Sequence, residues 1–212
     1  MMHLGHELLL LHLDDASGVG RLWSYTMAFA YSGAVLAEWL DDGSLVAVEA
    51  DGFVLARRGS EVASLAAAEA CMPEEPRPLR KLIAALYGWN PVNRYRPALE
   101  ELEAAGCIAP VADRVLGIPW RTRWPEREGH VERALVDRLR RHVGNAGPAM
   151  PPHRDDALLS VLRSVRLLES VWQASELERL QPAIHARTRM APIGRDVRLA
   201  IQEHEAAMAV AT

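Results

Sequence analysis

Few side chains in this 212-residue chain have the types and spacings that chemistry requires. His3 and His6 are three residues apart and Glu7 follows them, a set that could hold a metal ion. No helical HExxH accompanies them, so the three read as a solvated N-terminal turn. Glu100, Glu101 and Glu103 read as a solvated helix face rather than a paired general acid and base. His130 and His142 flank arginines on an amphipathic segment and read as solvated too. Gly18-Val19-Gly20 lacks the later glycine of a dinucleotide fingerprint and follows no strand. The chain has no GxxxxGK[ST] loop and no GxSxG elbow. The expectation is a protein with no catalytic residues, no metal and no organic cofactor.

Two features stand above that background. Trp23 sits beside the polar stretch from Ser17 to Arg21, at the start of a long apolar run. An indole there either caps the core or stands at a rim, where its amphipathic ring suits a membrane interface. Arg94 and Arg96, with Tyr95 between them, open a helix just after Trp89-Asn90-Pro91. Cations at a helix N-terminus oppose the macrodipole unless an anion binds there. Arginine also matches phosphate through bidentate hydrogen bonds. The plainer alternative is a solvated pair of surface arginines.

The run from Leu22 to Leu40 must position these groups. It carries no charge until Glu38, so a helix here has no solvent face. It falls short of the length of strongly apolar residues that a membrane span needs. It therefore reads as a central core helix wrapped by amphipathic ones. Leu4 to Leu13 precedes it as a short helix and turn. Asp51-Gly52 joins two β-rich runs as a hairpin, Ser44 to Glu49 and Phe53 to Arg57. Helices follow over Glu61 to Cys71, Leu79 to Tyr87 and, from Arg94 or Pro97, to Ala105.

A second hairpin is expected from Cys107 to Val111 and Val115 to Ile118, turning at Ala112-Asp113-Arg114. Its far arm, Pro119 to Trp124, is aromatic and basic. An amphipathic helix covers Gly129 to Val143, with Val131, Leu135 and Leu139 on one face. A long helix capped by Asp155 or Asp156 runs to Trp172. Ser175 to Glu178 opens the next helix with a capping box, and Asp196 starts the last one. The fold class is mainly α: one globular domain over residues 1–212, around a buried central helix, with two small β-hairpins.

Half of the residues are hydrophobic and a quarter charged, as in ordinary globular proteins. The net charge of −4 argues against a general nucleic-acid binder. Lys81 is the only lysine, an arginine bias expected of a GC-rich bacterial genome. Cys71 and Cys107 lack CxxC spacing and read as reduced core residues. The N-terminus has no basic n-region and no cleavage site of a secretory signal. The expected place is the cytoplasm, with peripheral attachment at the inner face of the membrane.

The order of these motifs resembles the Golgi phosphoprotein 3 family and its bacterial relatives. HELLLLHLDDASG looks like that family's opening helix and turn. Leu22-Trp23 before a small-residue helix containing Gly33, Trp89-Asn90-Pro91 before an arginine-bearing helix, LEELEAAGCI, and the leucine-rich stretch ending Leu168-Glu169-Ser170-Val171-Trp172 continue the likeness. The resemblance implies a mainly α domain around one hydrophobic helix. Eukaryotic members bind phosphatidylinositol 4-phosphate through a Trp and several arginines, and pack glycosyltransferase tails into vesicles. The Trp carries over to Trp23. A family arginine on the central helix falls at Ser32, a departure. A second arginine cluster falls near Arg94 and Arg96.

The resemblance thus implies a headgroup site of Trp23, Arg94 and Arg96 for an anionic lipid or membrane surface. It also implies a self-association hairpin from Ile108 to Trp124, carrying Ile108, Ile118, Trp120 and Trp124, and hence a homo-oligomer. Two other readings compete with a peripheral, non-enzymatic lipid binder. One is a protein-interaction scaffold that pairs through the hairpin. The other is a winged-helix nucleic-acid binder with Arg94 to Ala105 as recognition helix, which Glu100, Glu101 and Glu103 oppose.

Overall fold

In a computed structural model of the chain, the described residues are 2–48, 52–88, 91–115, 118–127, 129–145, 153–189 and 191–210; at 91–94, 115, 118, 119 and 121 the description stops at the backbone. Helix α1 covers Leu4–His12 and α2 covers Ser24–Asp41. From Met27 to Ala37, and again at Trp39, α2 is closed off from solvent. That follows from a sequence with no polar stripe to turn outward. Five helices close around it: α1, α4 (Leu79–Tyr87), α5 (Pro91–Ala104), α7 (Arg154–Ser164) and α9 (Ile193–Val210). Helices α3 (Ala63–Glu69), α6 (His130–Gly144) and α8 (Ala174–Thr188) complete a second layer. The class is mainly α with two small hairpins. Among the described residues, no helix is long and apolar enough to cross a membrane.

Close approach of the helices depends on glycine at two points. A Cβ on Gly33 would collide with Val197 of α9, and a Cβ on Gly194 would collide with the backbone of Ser160 on α7. Ser160 uses that proximity: its Oγ donates to Ala191 O at 2.7 Å and accepts from Gly194 N at 3.1 Å.

The layers are also joined by buried charge. Glu7 on α1 is 2% exposed and accepts from Arg138 Nη2 at 2.6 Å and Arg154 Nη1 at 2.7 Å. Arg154 reaches on to Glu38 of α2 at 3.0 Å, and Arg138 to Asp155 at 3.0 Å. Glu38 in turn accepts from Leu4 N at 2.8 Å. One carboxylate on α1 thus meets guanidinium groups from α6 and α7, and each guanidinium has a second acid.

Several boundaries differ from the sequence expectation. Helix α5 begins at Pro91, not at Arg94 or Pro97. Proline suits the first helical position because its missing N–H would have no partner there. Pro97 then lies inside the helix. Helix α7 stops at Ser164 rather than running to Trp172, because Arg166 takes a positive φ of 60° and a 3-10 turn follows over Leu168–Ser170. Its cap is His153, with Asp156 closing the capping box. The box that opens α8 is Gln173 with Glu176, two residues before Ser175 would place it. On α6 the buried residues are Glu132, Leu135, Leu139 and Val143.

The first hairpin pairs β1 (Leu45–Val48) with β2 (Gly52–Leu55), Leu45 opposite Leu55 and Val48 opposite Gly52. Its turn lies outside the described residues. The second pairs β3 (Val111–Val115) with β4 (Ile118–Arg123). Ala112-Asp113-Arg114, expected as the turn, is strand, with the register shifting between Asp113 and Arg114. Ile108 lies before the hairpin, 1% exposed, in an isolated bridge with Glu126. Among the described residues, no other helix or strand packs substantially against β3 or β4, so the hairpin projects.

Replacing Glu7 by Ala leaves two guanidinium groups facing a buried gap. A destabilisation of about 3 kcal/mol is expected from breaking such a pair. Urea unfolding of Glu7→Ala beside wild type measures it; equal midpoints would show that the charges do not join the layers.

Candidate functional site

The segment between α1 and α2 is folded tightly on itself. Asp14 N donates to Val19 O at 3.0 Å, and Ser17 gives both its N–H and its hydroxyl to Asp14 Oδ1, at 2.9 and 2.7 Å. Leu13 bridges Gly20, and Arg21 N returns to His12 O at 2.9 Å. Gly18 has φ of 66°, and a Cβ there would collide with the backbone of Pro125. Its carbonyl accepts from Trp124 N at 2.9 Å, so the foot of the second hairpin rests on this loop. Arg123 fastens the same junction, donating to Ser17 O at 2.9 Å and to Asp113 at 2.8 Å.

A cavity of about 440 Å³ lies beneath, between α1, this loop, α5 and the end of β4. Leu9, Leu13 and Leu99 form apolar wall, while Tyr95, Arg96 and Arg123 bring polar groups. His12 is on the wall as well and accepts from Leu22 N through Nδ1 at 3.3 Å. Burial, and then the nearby Arg21, hold it down to about 4, so it is neutral around pH 7.

Trp23 is 79% exposed, between Leu22 and Ser24, which both line the cavity. Arg96 also lines it, but its Nε donates to Glu100 Oε1 at 3.0 Å, one turn along α5. The earlier helix start changes the electrostatic argument. Arg94 and Arg96 are the fourth and sixth residues of α5, so Arg96 lies past the first turn, within which the field of the free N–H groups fades. The Arg94 side chain lies outside the described residues. Ser32 is 2% exposed and donates to Ala28 O at 2.8 Å, turned into the core. Of the hairpin residues, Trp120 is 79% exposed, whereas Trp124 packs half-buried against the core. Ile118 opposes Val115 in the ladder, and its side chain lies outside the described residues.

Of the histidines and acids read as solvated, Glu100, Glu103 and His130 are exposed, whereas His3, His6 and Glu7 are buried and Glu101 is half-buried. His3 and His6 are 4% and 6% exposed, and their rings lie 3.8 Å apart. Their acid is Glu101 rather than Glu7: His6 Nε2 lies 2.7 Å from Glu101 Oε2. Ser64 donates to the same oxygen at 2.6 Å and meets His3 Nε2 at 2.9 Å. His3, His6 and Glu101 are close enough to surround a cation. However, His3 Nδ1 accepts from Gly5 N at 3.0 Å, which leaves the proton on Nε2 and turns that nitrogen into a donor. Burial, then the charge of His6, hold His3 down to about 3. The cluster is a hydrogen-bonded clamp between α1, α3 and α5. His142 is likewise engaged, Nε2 to Asp156 at 2.6 Å, while His130 is exposed.

A model of the family Golgi phosphoprotein 3 (GPP34) matches residues 4–204. The chain belongs to that family. No curated protein matches it. The family match runs from the first residue of α1 to His204 on α9, so the cavity, the exposed Trp23 and the projecting hairpin all lie on family sequence. Arg123, His12 and Glu132 entered the site from structure alone. Each meets its neighbours across a chain separation that no local pattern records.

Glu132 on α6 is 7% exposed behind the loop, grouped with Asp15 and Glu126. Burial, and then Asp15 and Glu126, push it up to about 8. A folded carboxyl above its unfolded value of 4.5 keeps a proton that the unfolded chain has lost. Stability therefore falls as pH rises from about 4.5 to about 8, and levels off above. Melting temperatures across that window should show this fall in wild type and lack it in Glu132→Gln; parallel curves would contradict it.

Proposed function

We propose that this Golgi phosphoprotein 3 family member is a peripheral, non-enzymatic binder of anionic lipid headgroups. Its attachment would be at the inner face of the cytoplasmic membrane. The observation that carries the reading is the 79% exposed Trp23 between two residues of a cavity whose wall holds Arg96 and Arg123. Indole suits the headgroup layer, and guanidinium suits phosphate. The Arg96–Glu100 pair is solvent-exposed and spaced i to i+4, worth only about 0.3–0.5 kcal/mol. A phosphate can replace Glu100 at little cost. Each arginine near an anionic surface contributes roughly 1 kcal/mol, so binding is weak and salt-sensitive. With Ser32 buried where the resemblance implies an arginine, generic anionic lipid suits this site better than phosphatidylinositol 4-phosphate. His12 spends Nδ1 on Leu22 N, which supports a binding wall rather than a catalytic one.

A second reading has its own support. Trp120, exposed on a hairpin that projects, is the kind of anchor that interfaces use, which favours a scaffold that pairs through β3 and β4. Nucleic acid is disfavoured: α5 turns Ala98, Leu99 and Leu102 inward and leaves Glu100 and Glu103 outside.

Flotation with phosphatidylglycerol-containing vesicles tests the lipid reading. Wild type should float at low salt. Arg94→Ala with Arg96→Ala should remove most of that binding and leave the thermal melt nearly unchanged. Equal flotation of variant and wild type, or none by either, would give first place to the scaffold.

A further inference from the structure

Helices α2 and α9 run antiparallel. Gly33 faces Val197, the ring of Phe29 lies 5.4 Å from that of His204, and Tyr25 Oη donates to Glu205 at 3.1 Å. Along α9 the inward stripe is Val197 and Ala200, then half-buried Ile201 and His204. Met208 follows His204 by four residues and so continues the same stripe. At that level the core has ended. Beyond Tyr25, α2 adds only Ser24 and its cap Trp23, while α9 goes on five residues past Glu205, roughly 7 Å. Met208 is accordingly 56% exposed and Val210 89%.

Residues 206–210 are Ala-Ala-Met-Ala-Val, without a charge. Of the acids just before them, Glu203 pairs with Lys81 at 2.9 Å and Arg80 at 3.4 Å, and Glu205 accepts from the uncharged Tyr25 hydroxyl. Tyr25 stands on this edge, the exposed Trp23 precedes it by two residues as the cap of α2, and Tyr87 stacks on Phe29 at 4.2 Å beside His204. Rings with an apolar body and a polar tip, around an uncharged apolar helix end, match the headgroup layer of a bilayer. A second copy of the chain would need some 20–30 residues a side, far more than this edge offers.

We propose that the end of α9, carrying Met208 and Val210, is a second membrane-contacting element that enters the interfacial layer beside Trp23. The proposal rests on the lipid reading of the Trp23 cavity. Residues 205–210 lie beyond the family match.

The test is Met208→Ser with Val210→Ser, floated with the same phosphatidylglycerol vesicles, with solution mass by light scattering and a thermal melt. Neutral replacements avoid adding repulsion. Both side chains are exposed, so the melt should not move. A loss of partitioning on the order of tenfold at unchanged mass is expected. Wild-type flotation retained by the double variant would overturn the proposal and leave the lipid reading standing. A wild type that does not float would overturn both. A fall in mass in the variant would assign the edge to a second copy and also overturn the proposal.

Discussion

The constraint on which the rest of this structure depends is the burial of α2. A helix with nothing polar to offer water has to be covered on all sides, and the chain does so with α1, α4, α5, α7 and α9. Covering it brings distant segments together around its first turn, where the core ends. There the loop after α1, the middle of α5 and the foot of β4 enclose the cavity, and Trp23 stands outside as the cap of α2. The Glu7–Arg138–Arg154–Glu38 network fixes the opposite half of the bundle. Paired charges are costly to bury and costly to break, so they favour one arrangement of helices more than they add stability.

Much of the fold was legible where burial alone decides. The run from Leu22 to Leu40 declared itself by its missing charges, and α4 has the bounds its apolar spacing implies. Legibility failed where long-range partners decide. His3 and His6 looked like a wet turn because Ser64 and Glu101, which bury them, lie 61 and 95 residues away. Ala112-Asp113-Arg114, with two charged residues, resembles a turn and so suggests a hairpin earlier in the chain than the one the fold makes. In the fold Asp113 is strand, opposite Arg121 in the ladder with its carboxylate on Arg123 Nε, and a ribbon with little packing on either face leaves no alternation to read. Pro91, rather than Arg94 or Arg96, opens α5, a start that the proline's own turn-like setting hides in the sequence.

The candidate site was legible in type more than in membership. Trp23 and Arg96 were visible as an unusual indole and an unusual cation. Arg123 was visible only as part of a basic hairpin arm, and His12 only as one more residue of an apolar helix. What makes these residues neighbours is the loop from Asp14 to Arg21, folded through Ser17, Gly18 and Gly20 so that α1, α2 and β4 meet. The same loop lies against Glu132, whose raised value ties its packing to pH.

The central claim is that the cavity beside Trp23 faces anionic lipid. Amide hydrogen exchange of the wild-type protein, free and bound to phosphatidylglycerol vesicles, tests it most directly, because it reads where the chain is covered. Slowed exchange over residues 17–24 and the first half of α5 is expected on vesicle binding. Unchanged exchange there, with protection confined to β3 and β4 or absent throughout, would contradict the claim.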